Sequence, residues 1–329
     1  MLKANFITAE EAAEKIKDGS TVCTIGMTLV SASESVLKAI EKRFESSGHP
    51  ANITLVHSCG QSDRKDGIQH FAHEGLVKRI IGSHWGLQPK WMEMISENKV
   101  EAYCLPQGQI AQLYRSMACG LPGKMSKVGL GTFIDPRIES GKMNERTKPL
   151  EDIVDIIKYD GEEYMFYKQI PLDTVLIRGT VCDESGNLTT TEEAMKLEVL
   201  PAVLAVKRYG GRVIAQVKQV VQSGTINPKE VTVPGVFIDD VVVCENPLED
   251  HRQTSSWYFD PSYCGQARVP EQNIAPPPFN ERKFIARRGT QELYRGAVVN
   301  LGTGIPNDMV GKVCNEEKVS DDIMITVES

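Results

Sequence analysis

The residue best placed for chemistry in the 329-residue sequence is Glu328. It follows the run IMITV at 323–327, which is typical of a strand because it is mostly apolar and rich in β-branched residues. At the carboxyl end of such a strand the glutamate projects from a sheet edge, where a carboxylate can act as a covalent nucleophile. Solvated glutamates are also common at strand ends, so the spacing alone leaves both interpretations open.

A second pair of residues, Gln107 and Gly108, has a matching position. They follow Leu105-Pro106 at the end of an apolar segment and open a helical pattern. A side-chain amide there can donate a hydrogen bond to an oxyanion that develops in a transition state. The alternative is that Gln107 only caps the helix.

Two glycine-containing segments resemble nucleotide-binding motifs but lack residues that those motifs require. Gly302-x-Gly304 follows a predicted strand, but Asn307 stands where the dinucleotide fingerprint requires glycine. The segment GLPGKMS at 120–126 is an incomplete P-loop, because Ala118 stands where its first glycine belongs. Dinucleotide binding and nucleotide hydrolysis therefore have little support.

Two histidine-containing segments have competing interpretations. His70 and His73, beside Glu74, have the spacing of two metal ligands on a helix face, but a packing or surface role is favoured and we expect no metal. The tripeptide His57-Ser58-Cys59 ends a predicted strand, where catalytic groups of α/β sheets often lie. The sequence shows no acid or base partner for it.

Helices and strands alternate along most of the chain, which predicts an α/β fold with open, mostly parallel sheets and helices on both faces. A capping box at Thr8 and Glu11 begins the first helix. Residues 129–149, rich in Gly, Pro and charge, predict a long loop of the kind that carries function. Residues 191–209 predict one long helix.

Proline composition and an internal repeat predict two similar domains. Three consecutive prolines at 276–278 indicate a stiff linker at 272–280. The order helix, glycine, strand, glycine in residues 6–26 recurs in residues 284–302. We therefore assign residues 1–271 to a first domain and 281–329 to the start of a second. Roughly 50 residues cannot close an α/β domain, so the chain looks truncated.

Composition excludes several functional classes. The sequence contains 37 Lys and Arg residues and 44 Asp and Glu residues, so its net charge is −7. This charge argues against mainly electrostatic binding to nucleic acid or to an anionic membrane. The sequence has neither an apolar window long enough to span a membrane nor an apolar signal-peptide core. The eight cysteines form no C-x-x-C pair and fit free thiols in a reducing compartment, so we expect a cytoplasmic protein.

The candidate residues lie within longer segments that resemble class I coenzyme A transferases, in particular the acetate/propionate CoA-transferase branch. The similar segments follow the family's order along nearly the whole chain. They are LPQG at 105–108, VGLGTFIDPR at 128–137, GKMN at 141–144, DGEEY at 160–164, LIRGT at 176–180, VNLGTGIP at 299–306 and ITVES at 325–329. One departure is GMTLV at 26–30, which is less glycine-rich than the family's corresponding loop.

The resemblance implies a short-chain acyl-CoA:carboxylate CoA-transferase that works by a ping-pong mechanism. Glu328 is then the nucleophile that forms a glutamyl-CoA thioester, and Gln107 is the oxyanion donor. Gly108, Gly302 and Gly304 belong to loops on the substrate and CoA side of the pocket. Coenzyme A is implied as a substrate and covalent intermediate, with no permanently bound cofactor.

The resemblance also implies acyl-CoA and short-chain carboxylic acids as partners, a homo-oligomer, and a need for the remaining second domain or a partner chain. Neither nucleic acid nor a membrane is expected as a partner. One alternative is an acyl-CoA hydrolase, in which water intercepts the glutamyl intermediate. Others are a non-catalytic fragment or subunit and, more distantly, a ligand-binding regulator related to sugar isomerases of similar fold.

Overall fold

The computed structural model describes residues 4–327. The chain divides into two compact units, residues 1–264 and residues 265–329. The predicted linker at 272–280 falls within the second unit, and the assignment of 1–271 and 281–329 to separate domains stays a prediction.

The first unit is built around a mostly parallel sheet, which confirms the predicted α/β class. Its main path runs in the order β1-β13-β11-β9-β2-β3-β4-β5, and every neighbouring pair on this path is parallel. The strands of the unit are β1 (Asn5–Ile7), β2 (Thr21–Thr24), β3 (Ile53–His57), β4 (Val77–Gly82), β5 (Glu101–Cys104), β6 (Gly123–Ser126), β7 (Val154–Tyr159), β8 (Glu162–Lys168), β9 (Thr174–Asp183), β10 (Leu188–Thr189), β11 (Arg212–Val221), β12 (Val231–Val233) and β13 (Asp240–Val243).

Helices cover both faces of this sheet. The helices of the unit are α1 (Ala9–Glu14), α2 (Glu34–Ser47), α3 (Pro89–Ser96), α4 (Gln107–Ala118), α5 (Val199–Arg208) and α6 (Pro247–Asp250). The buried side chains of α4 and α5 join one apolar cluster, and those of α1, α2 and α3 join the cluster on the opposite face. Thr8 and Glu11 form the predicted capping box at the start of α1.

The strand order reverses between β2 and β9. From β2 the chain adds β3, β4 and β5 on one side, and then β9, β11 and β13 on the other. In open α/β sheets, the crevice at the carboxyl ends of the strands on either side of such a reversal is the usual ligand site. We call this side of the sheet the carboxyl edge.

The long loop predicted at 129–149 is present, and it covers the free side of β5. Lys142 pairs with Tyr103, and the N–H of Cys104 donates to the carbonyl of Gly141 at 2.7 Å. Gly141 has a φ of +68°, and a Cβ there would lie 2.5 Å from the Cys104 carbonyl oxygen. The close approach of loop and strand therefore requires glycine at 141.

Next to this loop lies a three-stranded antiparallel sheet, β6-β8-β7, that the sequence reasoning missed. Asp160 and Gly161 join β7 to β8, both with positive φ. An Asp-Gly pair between two strands is the usual signature of a tight hairpin turn. This signature was therefore present in the sequence.

The long helix predicted at 191–209 is wrong in its first half. Only Val199–Arg208 is helical, and Leu197 has a φ of +44°, which a regular helix excludes. The segment stays in turns because its glutamates bond to groups outside it. Glu192 pairs with Lys218 at 2.6 Å, and Glu193 pairs with Arg178 at 2.6 Å.

The second unit contains α7 (Glu281–Thr290), β14 (Val298–Leu301), α8 (Gly311–Glu316) and β15 (Met324–Val327). The two strands are parallel, and a small core centred on Val313 and Cys314 lies within the unit. Gly296, with a φ of +84°, stands between α7 and β14, as the repeated order of helix, glycine and strand predicts. Over the described residues 4–327, no helix of either unit is long and apolar enough to cross a membrane.

Candidate functional site

Gln107 is the first residue of α4, directly beyond the carboxyl end of β5. Pro106 occupies the N-cap position, and no side-chain hydrogen bond caps the helix. Gln107 and Gly108 are exposed, and within residues 4–327 the Gln107 side-chain amide has no hydrogen-bond partner. The capping alternative is therefore wrong, and the amide is free to meet a ligand at the carboxyl edge.

Gly302 and Gly304 lie in the turn that follows β14 in the second unit. Gly304 has a φ of +106°, a conformation that side-chain-bearing residues rarely adopt. The carbonyl oxygens of Gly302 and Gly304 accept from Asn307 and Asp308, at 3.0 and 2.9 Å. Both glycines thus shape the turn, and their predicted role on the CoA side stays a prediction.

The predicted nucleophile, Glu328, lies outside the described residues. The residue before it, Val327, ends β15 and pairs in parallel register with Leu301. Gly302 follows Leu301 directly. The carboxyl end of β15 and the glycine turn after β14 therefore share one edge of this two-stranded sheet.

The structure supplies the acid partner that the sequence did not reveal for His57-Ser58-Cys59. The Ser58 hydroxyl, which is buried beyond the end of β3, donates to a carboxylate oxygen of Glu198 at the N-cap of α5. Burial raises the pKa of Glu198. The hydrogen bond from Ser58 and the charge of Arg115 act in the opposite direction, but the effect of burial is larger. The hydrogen bond between Ser58 and Glu198 therefore joins the end of β3 to the start of α5 at the carboxyl edge.

The neighbours of Ser58 in that tripeptide are inert. Burial lowers the pKa of His57 to about 4, although its hydrogen bond to the Cys59 carbonyl opposes the shift. Burial also raises the pKa of the Cys59 thiol to about 12. At neutral pH His57 is a neutral imidazole and Cys59 a thiol, so neither group is activated for nucleophilic catalysis.

Arg178 and Glu193 form a buried ion pair beyond the end of β2. Each side chain is 2% exposed, and Arg178 also donates to the Ala32 carbonyl at 3.2 Å. Burial would raise the pKa of Glu193, but the Arg178 guanidinium and His251 hold it well below its usual range. Glu193 also accepts from the Ser31 hydroxyl at 3.1 Å, so the pair ties the loop after β2 to the segment before α5.

His70 and His73 are joined to α2 by carboxylates. His70 contacts Glu34 at 2.7 Å through one ring nitrogen and Glu41 through the other, and His73 contacts Glu41 at 2.7 Å. Glu74, the third residue of the predicted cluster, pairs instead with Lys99 at 2.9 Å.

The same groups include two sets of potential metal ligands, Glu34, Asp66 and His70, and Glu41, Glu45 and His73. Both nitrogens of His70 already contact carboxylates, and Asp66 contacts Arg252 at 3.1 Å. This pattern is that of an ion-pair network between α2 and the 3-10 turn Gly67–Phe71.

Replacing His70 with glutamine is expected to lower the free energy of unfolding at mildly acidic pH, by about 1.5 kcal/mol for lost hydrogen bonds to charged groups. Burial opposes protonation of His70, but Glu34 and Glu41 outweigh it and raise its pKa. The stabilisation is therefore present in full below the unfolded-state pKa and is lost as pH rises through the folded-state pKa.

Urea unfolding of wild type and H70Q between pH 5.5 and 8.5 tests this prediction. His49→Gln is the control, because His49 and Asp18 form an exposed pair. A difference between wild type and H70Q that grows toward alkaline pH would contradict the assignment.

Comparison with known proteins identifies the family. The family model for coenzyme A transferase matches residues 6–244, well over half of the chain. The chain belongs to the coenzyme A transferase family. This finding confirms the prediction of a class I coenzyme A transferase, which rested on short segments taken in order.

Two curated relatives of this coenzyme A transferase chain align along nearly its whole length. Caffeate CoA-transferase of Acetobacterium woodii is 42% identical over 326 residues, which cover 99% of this chain and 62% of the relative. Acetate CoA-transferase YdiF of Escherichia coli K12 is 37% identical over 328 residues, which cover 98% of this chain and 60% of the relative. The chain thus spans about three fifths of the length of these relatives.

Solved structures of the family superimpose on the chain. The apoenzyme of acyl-CoA transferase YdiF from Escherichia coli O157:H7 matches with a TM-score of 0.88 and 34% identity, covering 99% of this chain and 61% of that one. A thioester complex of the same enzyme with CoA matches with a TM-score of 0.87 and 35% identity, over 99% and 62% of the two chains.

Family membership leaves the individual site residues of the coenzyme A transferase chain as predictions. Gln107 and Gly108 lie at the carboxyl edge of the first unit, and Gly302 and Gly304 lie in the second. The residues that sequence reasoning missed are Glu198 and the pair Arg178–Glu193. Both glutamates lie within residues 191–209, for which the sequence predicts one continuous helix.

Proposed function

We propose that the chain is part of a short-chain acyl-CoA:carboxylate CoA-transferase of the acetate/propionate type. The observation that carries this proposal is the free amide of Gln107 at the exposed start of α4. Two relatives named caffeate CoA-transferase and acetate CoA-transferase support it, as does the YdiF structure described as a thioester complex with CoA.

In the proposed reaction, the Glu328 carboxylate attacks the carbonyl carbon of an acyl-CoA. The C–S bond breaks, and CoA leaves as a thiolate while an acyl-glutamyl anhydride forms. The thiolate then attacks the glutamyl carbonyl, which gives a glutamyl-CoA thioester and frees the first acid as a carboxylate. A second carboxylate reverses these steps and leaves as a new acyl-CoA.

Gln107 is proposed to stabilise the tetrahedral intermediates of these steps. Each attack places a negative charge on a former carbonyl oxygen, and a preorganised N–H donor lowers the barrier because it needs no rearrangement when the charge appears. One carboxylate is exchanged for another, so the reaction is close to thermoneutral and requires no ATP.

For the whole protein, we propose acyl-CoA and short-chain carboxylic acids as partners. We also propose that it is a homo-oligomer in the cytoplasm. The second domain is proposed to be completed by further chain or by a partner chain.

Product analysis and intact mass test the proposed function. The native-length protein is incubated with acetyl-CoA alone and with acetyl-CoA plus propionate. We expect propionyl-CoA to form and, with acetyl-CoA alone, a mass increase of one CoA less one water, located on the peptide that contains Glu328. Release of free CoA without propionyl-CoA would indicate hydrolysis, and an unchanged substrate without adduct would overturn the proposal.

Gln107→Ala is expected to lower kcat by about 10²–10³-fold, with a much smaller change in the KM for acyl-CoA. The amide is proposed to act on the oxyanion, which is present in the transition state and not in the bound substrate. Steady-state kinetics measure both constants. Gln112→Ala, an exposed glutamine on the same helix, is the control and should stay near wild type.

A further inference from the structure

Residues 141–147 belong to the long loop that the sequence predicts to carry function, but they have no role in the reaction proposed above. They lie along the outer side of β5, the last strand on the main path of the sheet. Three backbone groups of β5 bond to them: the Cys104 N–H donates to the Gly141 carbonyl at 2.7 Å, the Ala102 carbonyl accepts from the Met143 N–H at 3.0 Å, and the Ala102 N–H donates to Thr147 Oγ1 at 2.8 Å. The loop therefore holds the end of β5 from outside.

The inner side of the same strand end is held by the chain at the end of β4. The Leu105 N–H donates to the Gly82 carbonyl at 2.8 Å, and the Cys104 thiol donates to the Ser83 carbonyl at 2.9 Å. The backbone at 104–105 is thus bonded on both sides. Only Pro106 separates it from Gln107.

The loop has a fixed shape because of Asp135, which is 1% exposed. Its carboxylate accepts from the N–H groups of Gly131 and Arg137 at 2.9 and 3.0 Å, and it pairs with the Arg137 guanidinium at 2.7 Å. The Asp135 carbonyl accepts from the Ser140 N–H at 3.2 Å. These contacts lie within the loop itself, so Gly141 meets β5 from a well-defined position.

The position of the Gln107 amide depends on this backbone. Within residues 4–327 no hydrogen bond holds the Gln107 side chain, so its location is set by the chain that leads into α4. Pro106, with a φ of −61°, connects the strand end to the helix through a ring that fixes this angle. A shift of the end of β5 therefore carries Gln107 with it.

We propose that residues 141–147 position Gln107 for the oxyanion and that Gly141 is the main positioning residue among them. The inference rests on the proposed function, since that function gives Gln107 its role as oxyanion donor. A donor must lie about 2.7–3.1 Å from the oxyanion to stabilise it. A Cβ at position 141 would lie 2.5 Å from the Cys104 carbonyl oxygen, so any larger residue pushes the loop and the strand end apart.

Steady-state transfer of CoA from acetyl-CoA to propionate by the native-length protein tests this inference. We expect Gly141→Ala to lower kcat by about tenfold or more, because a displacement of about 1 Å can cost about 10²-fold in rate. The KM for acyl-CoA should change much less, since the oxyanion is absent from the bound substrate. The loss should not exceed that of Gln107→Ala, because Gly141 acts through Gln107.

Gly131→Ala is the matched control. Gly131 lies in the same loop and has a φ of +71°, similar to that of Gly141, but a Cβ there would meet no atom within 4 Å. G131A therefore introduces the same backbone strain without the contact to β5, and its kcat should stay near that of wild type. Equal losses of kcat in G131A and G141A would overturn the inference.

The double variant Q107A/G141A separates positioning from a general loss of structure. If Gly141 acts through Gln107, the double variant should have the kcat of Q107A alone. Losses that multiply would overturn this inference and leave the proposed function standing. Absence of CoA transfer by wild type, or a wild-type kcat in Q107A, would overturn the role of Gln107 and this inference with it.

Thr147 provides a second test that holds even where G141A does not fold. Thr147→Val removes the acceptor of the Ala102 N–H and should lower kcat with little change in KM. Thr147→Ser keeps the hydroxyl and should restore kcat. A T147V variant with the kcat of wild type, or one whose loss persists unchanged in the Q107A background, would overturn the inference.

Discussion

Replacing Arg178 with methionine is expected to lower the free energy of unfolding of the first unit by about 3–5 kcal/mol, the cost of leaving a buried charge without its partner. Glu193, 2% exposed, would then keep its charge without the guanidinium or would have to take up a proton. Because Arg178 holds the pKa of Glu193 low, loss of the arginine moves protonation of Glu193 toward neutral pH.

The double variant R178M/E193M separates the charge effect from the packing effect. Two apolar side chains leave neither charge uncompensated, so most of the lost stability should return. Guanidinium unfolding of the single and double variants measures the difference. Lys127→Met is the control, because Lys127 and Glu162 form an exposed pair. A single variant as stable as wild type would show that the pair contributes nothing to the first unit.

Glu328→Gln is expected to reduce CoA transfer by at least about 10³-fold and to abolish the covalent CoA adduct. Glutamine keeps the shape of the side chain, but its amide is a poor nucleophile and cannot form the anhydride. Acyl-CoA binding should persist, because the substitution removes a reacting group and leaves the pocket in place. Steady-state kinetics and intact mass, measured on the native-length protein, follow both effects.

The control for Glu328 is Asp321→Asn, which removes one exposed carboxylate from the same unit and should leave transfer unchanged. An E328Q variant that still accumulates the CoA adduct would assign the nucleophile to another residue. Slow deamidation of the glutamine would restore glutamate, so the mass of the tryptic peptide must be checked in the same sample.

Much of the fold follows from local sequence patterns. Short strand-like runs in the sequence predicted β2, β3, β5 and β14, and α4 begins at Gln107 as the sequence predicts. These elements are predictable because their periodicity and end residues are local properties of the chain. Only the structure shows that the Gln107 amide is free. The sequence around a glutamine at the start of a helix is the same whether or not its side chain caps the helix.

The contacts missed by sequence reasoning join residues that are distant along the chain. Ser58 and Glu198 are 140 positions apart in the sequence. Their hydrogen bond forms because β3 ends, and α5 begins, at the same edge of the sheet. Arg178 and Glu193 are only 15 positions apart, but their pairing requires the segment before α5 to leave the helix. The periodicity of residues 191–209 therefore predicted a helix where tertiary contacts favour turns.

The loop that covers β5 has a consequence for how the chain avoids association with itself. An uncovered outer strand offers a row of N–H and carbonyl groups to which another molecule can add a strand. Residues 141–143 occupy these groups, with Met143 donating to the Ala102 carbonyl at 3.0 Å and Gly141 accepting from Cys104. Undocking of this loop would open the outer side of β5 to strand pairing with another molecule, and docking requires glycine at 141 because a Cβ there would lie 2.5 Å from the Cys104 carbonyl oxygen.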